Sequence, residues 1–194
     1  MSAPTDPRPV YAAATAWMTQ LLSSVTDDQL DSPTPCAEFD VRTLASHIVG
    51  VANRVVALGE GADLFSVSPF AENHDAETYA RTVGRAIDLW ADDSRLTTVV
   101  KVPWGEVPGA GALWGYVNET LVHCWDLAVA TGQASEADPA IVEPTLTIAR
   151  QFITADIRSD ANVPFAQVVE PRPDAGPTER LANWGGRPSE AWVR

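Results

Sequence analysis

ALWGYVNETLVHCWDLAVA, residues 112–130, is apolar on nearly every side of a helix. Trp114, Val117, Leu121, Trp125 and Ala128 recur at the helical period and make one face. Tyr116, Leu127 and Ala130 add apolar groups on the other side. A helix of that kind belongs inside a bundle rather than on its surface. Thr131-Gly132 supplies its stop. Glu119 and His123 interrupt the apolar pattern four residues apart, so they stand one above the other on one face.

The neighbouring segments supply the rest of the bundle. Val41, Leu44, Ile48, Val51, Val55 and Leu58 are spaced by threes and fours, which predicts a helix over 41–58 capped by Asp40 and ended by Gly59 and Gly61. A first helix is expected over about Val10–Val25. A third is expected over about Asp75–Asp92, with Tyr79, Val83, Ile87 and Trp90 on one face. Asp138-Pro139 reads as the cap and first turn of a fifth helix reaching about Ile157. The β-branched run LTTVVKVPW, residues 96–104, predicts a short extended segment, with Pro103 and Pro108 limiting its pairing. Residues 1–9 carry three prolines and read as a mobile arm. Residues 159–194 carry five and read as an irregular strap, held on the bundle by Phe165, Leu181, Trp184 and Trp192. The expected architecture is all-α: an up-down four-helix bundle with an extra helix, in a single domain over 1–194 whose helical part spans 10–158.

Composition narrows the function. A chain of 194 residues, 45% hydrophobic, can bury a core without disulfides and is not disordered. Its net charge of −13 opposes binding to nucleic acid or to anionic membrane surfaces. Two cysteines, Cys36 and Cys124, form no CxxC pair, and the N-terminus has no basic stretch followed by an apolar one. No run is long enough to span a bilayer. A reduced, cytoplasmic setting is expected, with small molecules as partners; the sequence permits an oligomer without requiring one.

A buried carboxylate is expensive unless it is paired or bound to a metal. Two readings of Glu119 and His123 therefore compete: a hydrogen-bonded pair that satisfies both groups, or two metal ligands. His47 weighs on the choice, because it lies three residues from Leu44 and four from Val51 and so edges the core-facing stripe of its helix. If the helices over 41–58 and 112–130 are neighbours, His47, Glu119 and His123 converge. Two imidazoles and a carboxylate are the ligand set of a catalytic zinc site with a position left for water or substrate. The same set accepts nickel or iron. Neither HExxH nor paired Glu-x-x-His is present, which argues against a zinc protease and a di-iron bundle.

Other side chains carry two readings each. Asp126, three residues after His123, either orients that imidazole or pairs with an arginine of a neighbouring element. Arg54, seven residues after His47, either meets a substrate carboxylate or makes a surface ion pair. Trp125, with Trp104 and Trp114, either lines a pocket near the metal or fills the core. Cys124 turns away from Glu119 and His123 and reads as a small buried group, Cys36 reads as a packing residue, and His74 reads as an exposed loop residue. No catalytic side chain beyond the candidate ligands is identified.

Three motifs extend this reading. PTPCAEFDVRTLASHIVG (33–50) resembles the Pro-Thr-Pro-Cys-x-x-Trp-x-Val-x-x-Leu-x-x-His signature of the mycothiol-dependent maleylpyruvate isomerase N-terminal-like proteins, within the DinB-like metal-binding superfamily, with Phe39 in place of Trp. LVHCWDLAVATGQ (121–133), preceded by Glu119, is similar to the family's second signature, and ERLANWGGRPSEAW (179–192) to its closing one. The resemblance implies a DinB-like bundle holding a divalent metal through His47, Glu119 and His123, where the family often has Asp at the acidic position. It also implies mycothiol as cosubstrate, its sulfur held by zinc. The isomerases carry a further domain after the bundle, so thiol transfer to an electrophile is the broader expectation and thiol-assisted isomerisation the narrower one. A bundle that binds metal or a small ligand without turnover, as sensor, carrier or accessory protein, is the alternative.

Overall fold

The computed structural model describes residues 6–159 and 165–193. In chain order its elements are α1 (Arg8–Ser23), α2 (Val41–Glu60), α3 (Ala76–Trp90), the short α4 (Asp93–Thr97), strands β1 (Val99–Val102) and β2 (Gly105–Pro108), α5 (Gly109–Thr131), α6 (Pro139–Phe152), the short α7 (Ala155–Ser159) and α8 (Pro177–Trp184). Helices α1 and α2 each pack on α3 and on α5, which makes the four-helix bundle. Helices α6 and α8 pack on each other and cover the remaining side of α5. That explains why α5 is apolar nearly all round: it packs against α1, α2, α6 and α8, and Leu113, Val117, Leu121, Trp125 and Leu127 are fully buried.

The caps follow the sequence chemistry. Asp40 accepts from Thr43 N at 2.7 Å, Asp75 from Thr78 N at 2.7 Å and Asp138 from Ala140 N at 2.9 Å. Gly61 and Gly132 stop α2 and α5 in the left-handed region, with φ of 75° and 71°. Trp90 Nε1 donates to Val55 O at 3.0 Å and ties α3 to α2 through the core. Among the described residues no helix is long and apolar enough to cross a membrane.

Four boundaries differ from expectation. Helix α1 starts at Arg8, inside the expected arm, where Arg8 pairs with Asp6 at 2.6 Å and Asp93 at 2.8 Å; the rest of that arm, residues 1–5, lies outside the described residues. The extended segment is half of a hairpin, Val99 opposite Pro108 and Val102 opposite Gly105. Pro103 falls in its two-residue turn and Pro108 at its last pair, so neither interrupts the ladder. The fifth expected helix breaks at Ile153, and α7 is a separate turn. The expected strap, of which residues 160–164 and 194 lie outside the described residues, contains a helix packed on α5 and α6: α8 opens on Gly176-Pro177, with Thr178 N and Glu179 N donating to the Glu136 carboxylate at 2.8 and 3.1 Å.

Candidate metal centre

Helices α2 and α5 are neighbours, and their contact brings His47 to Glu119 and His123. The three potential ligand atoms lie within 4.8 Å of one another. The two imidazoles meet edge to face, with centroids 5.2 Å apart. Phe39 and Phe70 close the other side of the His47 ring at 5.2 and 5.4 Å.

The orientation of His47 comes from a loop. Residues 67–71 lie against α2, where Ser46 Oγ donates to Ala71 O at 2.7 Å and Ala71 N to Ser46 O at 3.1 Å. Pro69 O stands 3.1 Å from His47 Nδ1. Gly50, one turn later on α2, makes this approach possible: a Cβ there would sit 2.3 Å from both the carbonyl carbon and the oxygen of Pro69. A carbonyl only accepts, so Nδ1 carries a proton and Nε2 is the nitrogen turned to the site.

His123 is held by a different device with the same outcome. Its Nδ1 lies 3.0 Å from Asp126 Oδ2, and Asp126 is wholly buried. Arg187, from the segment after α8, donates from Nε to both Asp126 oxygens, at 3.0 and 3.1 Å. Asp126 therefore touches both the His123 imidazole and an arginine from a distant element. Burial lowers the His123 pKa below the ordinary histidine value, against the raising effect of Asp126, and so favours the neutral ring.

Glu119 completes the set. Burial raises its pKa, but a His47 ring protonated on both nitrogens donates to the carboxylate, and that hydrogen bond together with the charges of His47, His123 and Arg54 outweighs burial, so in the metal-free site the carboxyl titrates below its ordinary range. Its Oε1 is 3.2 Å from His47 Nε2. With the His47 proton on Nδ1, these are two electron-pair donors facing each other, an arrangement that calls for a cation between them, either a second proton on the ring or a metal ion. Bond lengths of about 2.0–2.2 Å in a tetrahedral site separate ligand atoms by about 3.3 Å, so the donor set fits such an ion in kind, and the His47–Glu119 pair at 3.2 Å fits it in spacing.

The candidate ligands sit in the wall of a cavity of about 490 Å³. Phe39, Trp104, Phe152 and Phe165 give it an apolar, aromatic lining; Cys36, Arg54, Tyr116, Asn118 and Arg187 give it polar groups. Arg54 donates from Nε to Val67 O at 2.9 Å, and its terminal nitrogens have no partner among the described residues. Trp125 is not a wall residue: it is fully buried in the interior of the bundle, and Trp104, at the tip of the hairpin, lines the cavity instead. Cys36 also lines the cavity, in addition to the packing role expected of it. Burial raises its thiol pKa, against the lowering influence of Arg187. Cys124 is fully buried, and His74 stays outside the cluster, its Nδ1 3.1 Å from Glu72 O. Tyr116, Asn118 and the pairing of Arg187 with Asp126 escape a reading by periodicity, because α5 offers no polar stripe to mark the cavity side and Arg187 lies in a different segment.

The comparisons with known proteins bear on family and fold. The family model described as mycothiol maleylpyruvate isomerase N-terminal domain matches residues 11–128. Two uncharacterized proteins of Mycobacterium tuberculosis, from strains CDC 1551 / Oshkosh and ATCC 25618 / H37Rv, are each 30% identical over 182 residues, 94% of this chain and 98% of the relative. The crystal structure of the mycothiol-dependent maleylpyruvate isomerase superposes with a TM-score of 0.59 at 16% identity, over 76% of this chain and 68% of that one, which is a likeness of fold.

Proposed function

The chain belongs to the mycothiol maleylpyruvate isomerase N-terminal domain family, and we propose that it is a metal-dependent, thiol-using enzyme that transfers mycothiol to an electrophile or uses it to assist an isomerisation. The observation that carries this reading is the pinning of both imidazoles by Nδ1, which leaves two Nε2 lone pairs and the Glu119 carboxylate converging in the wall of a cavity. His47, Glu119 and His123 would hold the ion, zinc first by donor type, with nickel and iron as alternatives. A divalent ion in that position supplies one thing: it binds a thiol sulfur and makes it a thiolate at neutral pH, where a free thiol of pKa about 8.5 is only a few per cent ionised.

Everything else falls to the protein. Asp126 and Arg187 fix the His123 ring, and the Pro69 carbonyl fixes His47. Arg54 offers unpaired guanidinium nitrogens to a carboxylate of the thiol or of the electrophile. The aromatic lining excludes water and holds an apolar body against the sulfur; positioning of this kind is the larger part of the acceleration, because ionisation alone raises the thiolate fraction only by on the order of 30-fold. The reduced, cytoplasmic setting proposed for the protein is where such a thiol would be available.

The test is incubation of zinc-loaded protein with mycothiol and a panel of electrophiles, followed by mass spectrometry of the small-molecule fraction. Adduct or isomer is expected with wild type and absent with His123→Ala, which also loses its metal. Thiol binding without product across the panel replaces the enzyme with the carrier or sensor.

A further inference from the structure

The β1–β2 hairpin gives little to the core: of its two four-residue strands only Val102 is buried, and Val99 and Lys101 are exposed. Its two-residue turn is Pro103-Trp104. Such turns favour Gly, Asn and Asp, whose backbones tolerate them, and a large aromatic ring does nothing for the chain reversal. Trp104 is nevertheless turned inward. It is half-buried against the core, it lines the cavity, and its ring packs edge to face on Tyr116 with centroids 5.4 Å apart.

Helix α5 is shaped to receive that ring. Gly115 is buried in the interior of α5, where a glycine weakens a helix. A Cβ at that position would stand 2.3 Å from Trp104 Cζ2, 2.9 Å from Cη2 and 3.0 Å from Cε2, so the benzo edge of the indole takes the space a side chain would need. With alanine there, the ring must withdraw by about 1 Å to reach a contact of about 3.5 Å. Gly115 comes one helical turn before Glu119, about 6 Å along the axis. The indole therefore forms the cavity wall one turn of α5 away from that candidate ligand.

We infer that Trp104, seated on Gly115, is a specificity-determining residue: it sets how far a bound molecule can extend from the candidate metal centre towards the hairpin. Phe39, Phe152 and Phe165 make the rest of the wall suit a flat aromatic body. One aromatic ring is about as long as a single helical turn, whereas a second ring joined end to end with it meets the indole. The hairpin is then the arm that delivers the indole, and Gly115 is the notch that fixes its depth. This inference rests on the proposed function only in taking the cavity as the place where the electrophile binds. Its test requires neither the metal nor turnover.

The probes are phenol and 4-phenylphenol, one ring and two rings in line, titrated calorimetrically into protein stripped of metal by a chelator. In Trp104→Ala the affinity for 4-phenylphenol relative to phenol is expected to rise about tenfold or more over wild type, because the freed volume buries the second ring, and in Trp104→Phe by a smaller factor. Gly115→Ala moves the ring without removing it, so it should change that ratio by about threefold or more. It should also shift the ¹⁹F resonance of 5-fluorotryptophan at position 104, assigned by its loss in Trp104→Phe. Placed in Trp104→Ala, the same substitution should leave the ratio alone. A ratio within about twofold of wild type in both Trp104 variants overturns the inference. So does a lowered Tm with both probes weakened alike, which is the mark of a merely structural role, and so does an effect of Gly115→Ala that persists without the indole. Failure of every form to bind either probe overturns it as well. If the ratio shifts as expected while the zinc-loaded protein consumes no electrophile, the inference stands and the enzyme reading falls. If turnover is found and the Trp104 variants accept long and short electrophiles in the wild-type proportion, the reverse holds.

Discussion

Gly50→Ala tests the link between the 67–71 loop and the candidate ligands. The new methyl group would stand 2.3 Å from the carbon and oxygen of Pro69 and 2.6 Å from Phe70 N. All three are backbone atoms, so no side chain can swing aside, and the loop must retreat by more than 1 Å to restore a contact of about 3.5 Å. The Pro69 O to His47 Nδ1 distance then grows from 3.1 Å past the hydrogen-bonding range, and the Ser46–Ala71 pair is strained with it. Overpacking and a lost buried hydrogen bond together cost about 2–4 kcal/mol. The better helix propensity of Ala offsets about 1 kcal/mol of that. The net of about 1–3 kcal/mol lowers Tm by about 2–12 °C for a chain of this size. Metal affinity falls further than stability, because His47 loses the contact that sets its tautomer; partners of this type are worth about 10- to 100-fold. Differential scanning fluorimetry gives the first number, and competition with a chromophoric chelator for Zn²⁺ or Co²⁺ gives the second. A variant that melts with wild type and binds metal equally well refutes the reasoning, since the loop would then be free to move without consequence for His47.

Three further outcomes are expected. Asp126→Ala leaves the Arg187 guanidinium without its carboxylate and His123 Nδ1 without its acceptor, and should cost about 3–5 kcal/mol in denaturant unfolding; Asp126→Asn, which keeps an acceptor, should lose less. Metal-free protein should lose stability on acidification: the His123 pKa is depressed by burial, so its contribution is whole above the ordinary histidine value near 6.5 and fades as the pH drops through the lower folded value, with Glu119 adding a second loss below its own range. Urea midpoints that stay flat between pH 7.5 and 5 would contradict this. Glu136→Ala removes the carboxylate that receives Thr178 N and Glu179 N at the start of α8 and should lower Tm by about 2–4 °C, for a cap worth about 1 kcal/mol.

The bundle and its convergent triad were legible because they obey local rules. The spacing along α2 and the unbroken apolarity of α5 are properties of short windows, and a polar residue set into such a window stands out, as His47, Glu119 and His123 do. Side chains at the same depth are harder to rank. Trp125 and Trp104 look alike as letters, but α5 turns Trp125 into the interior of the bundle while a two-residue turn after Val102 carries Trp104 to the cavity. Asn118 and Tyr116 were lost in a helix buried on every side, where nothing local says which flank is hollow. Helix α8 is a short helix among prolines and depends on a carboxylate some forty residues upstream, so its start lies outside any local window. The Asp126–Arg187 pair is a tertiary contact across 61 residues, and only the fold could choose Arg187 from among the twelve arginines.

That last contact has a consequence for how the protein is made. At a synthesis rate of about 5–20 residues per second, Arg187 is added to the growing chain roughly 3–12 s after Asp126. During that interval His47, Glu119 and His123 already exist, but the carboxylate behind His123 has no counter-ion and the ring no settled direction. A nascent chain would grip a cation loosely and release it readily. If the site takes a metal ion, secure loading would therefore wait until Arg187 has joined the chain, rather than begin when the helices that carry the candidate ligands first emerge.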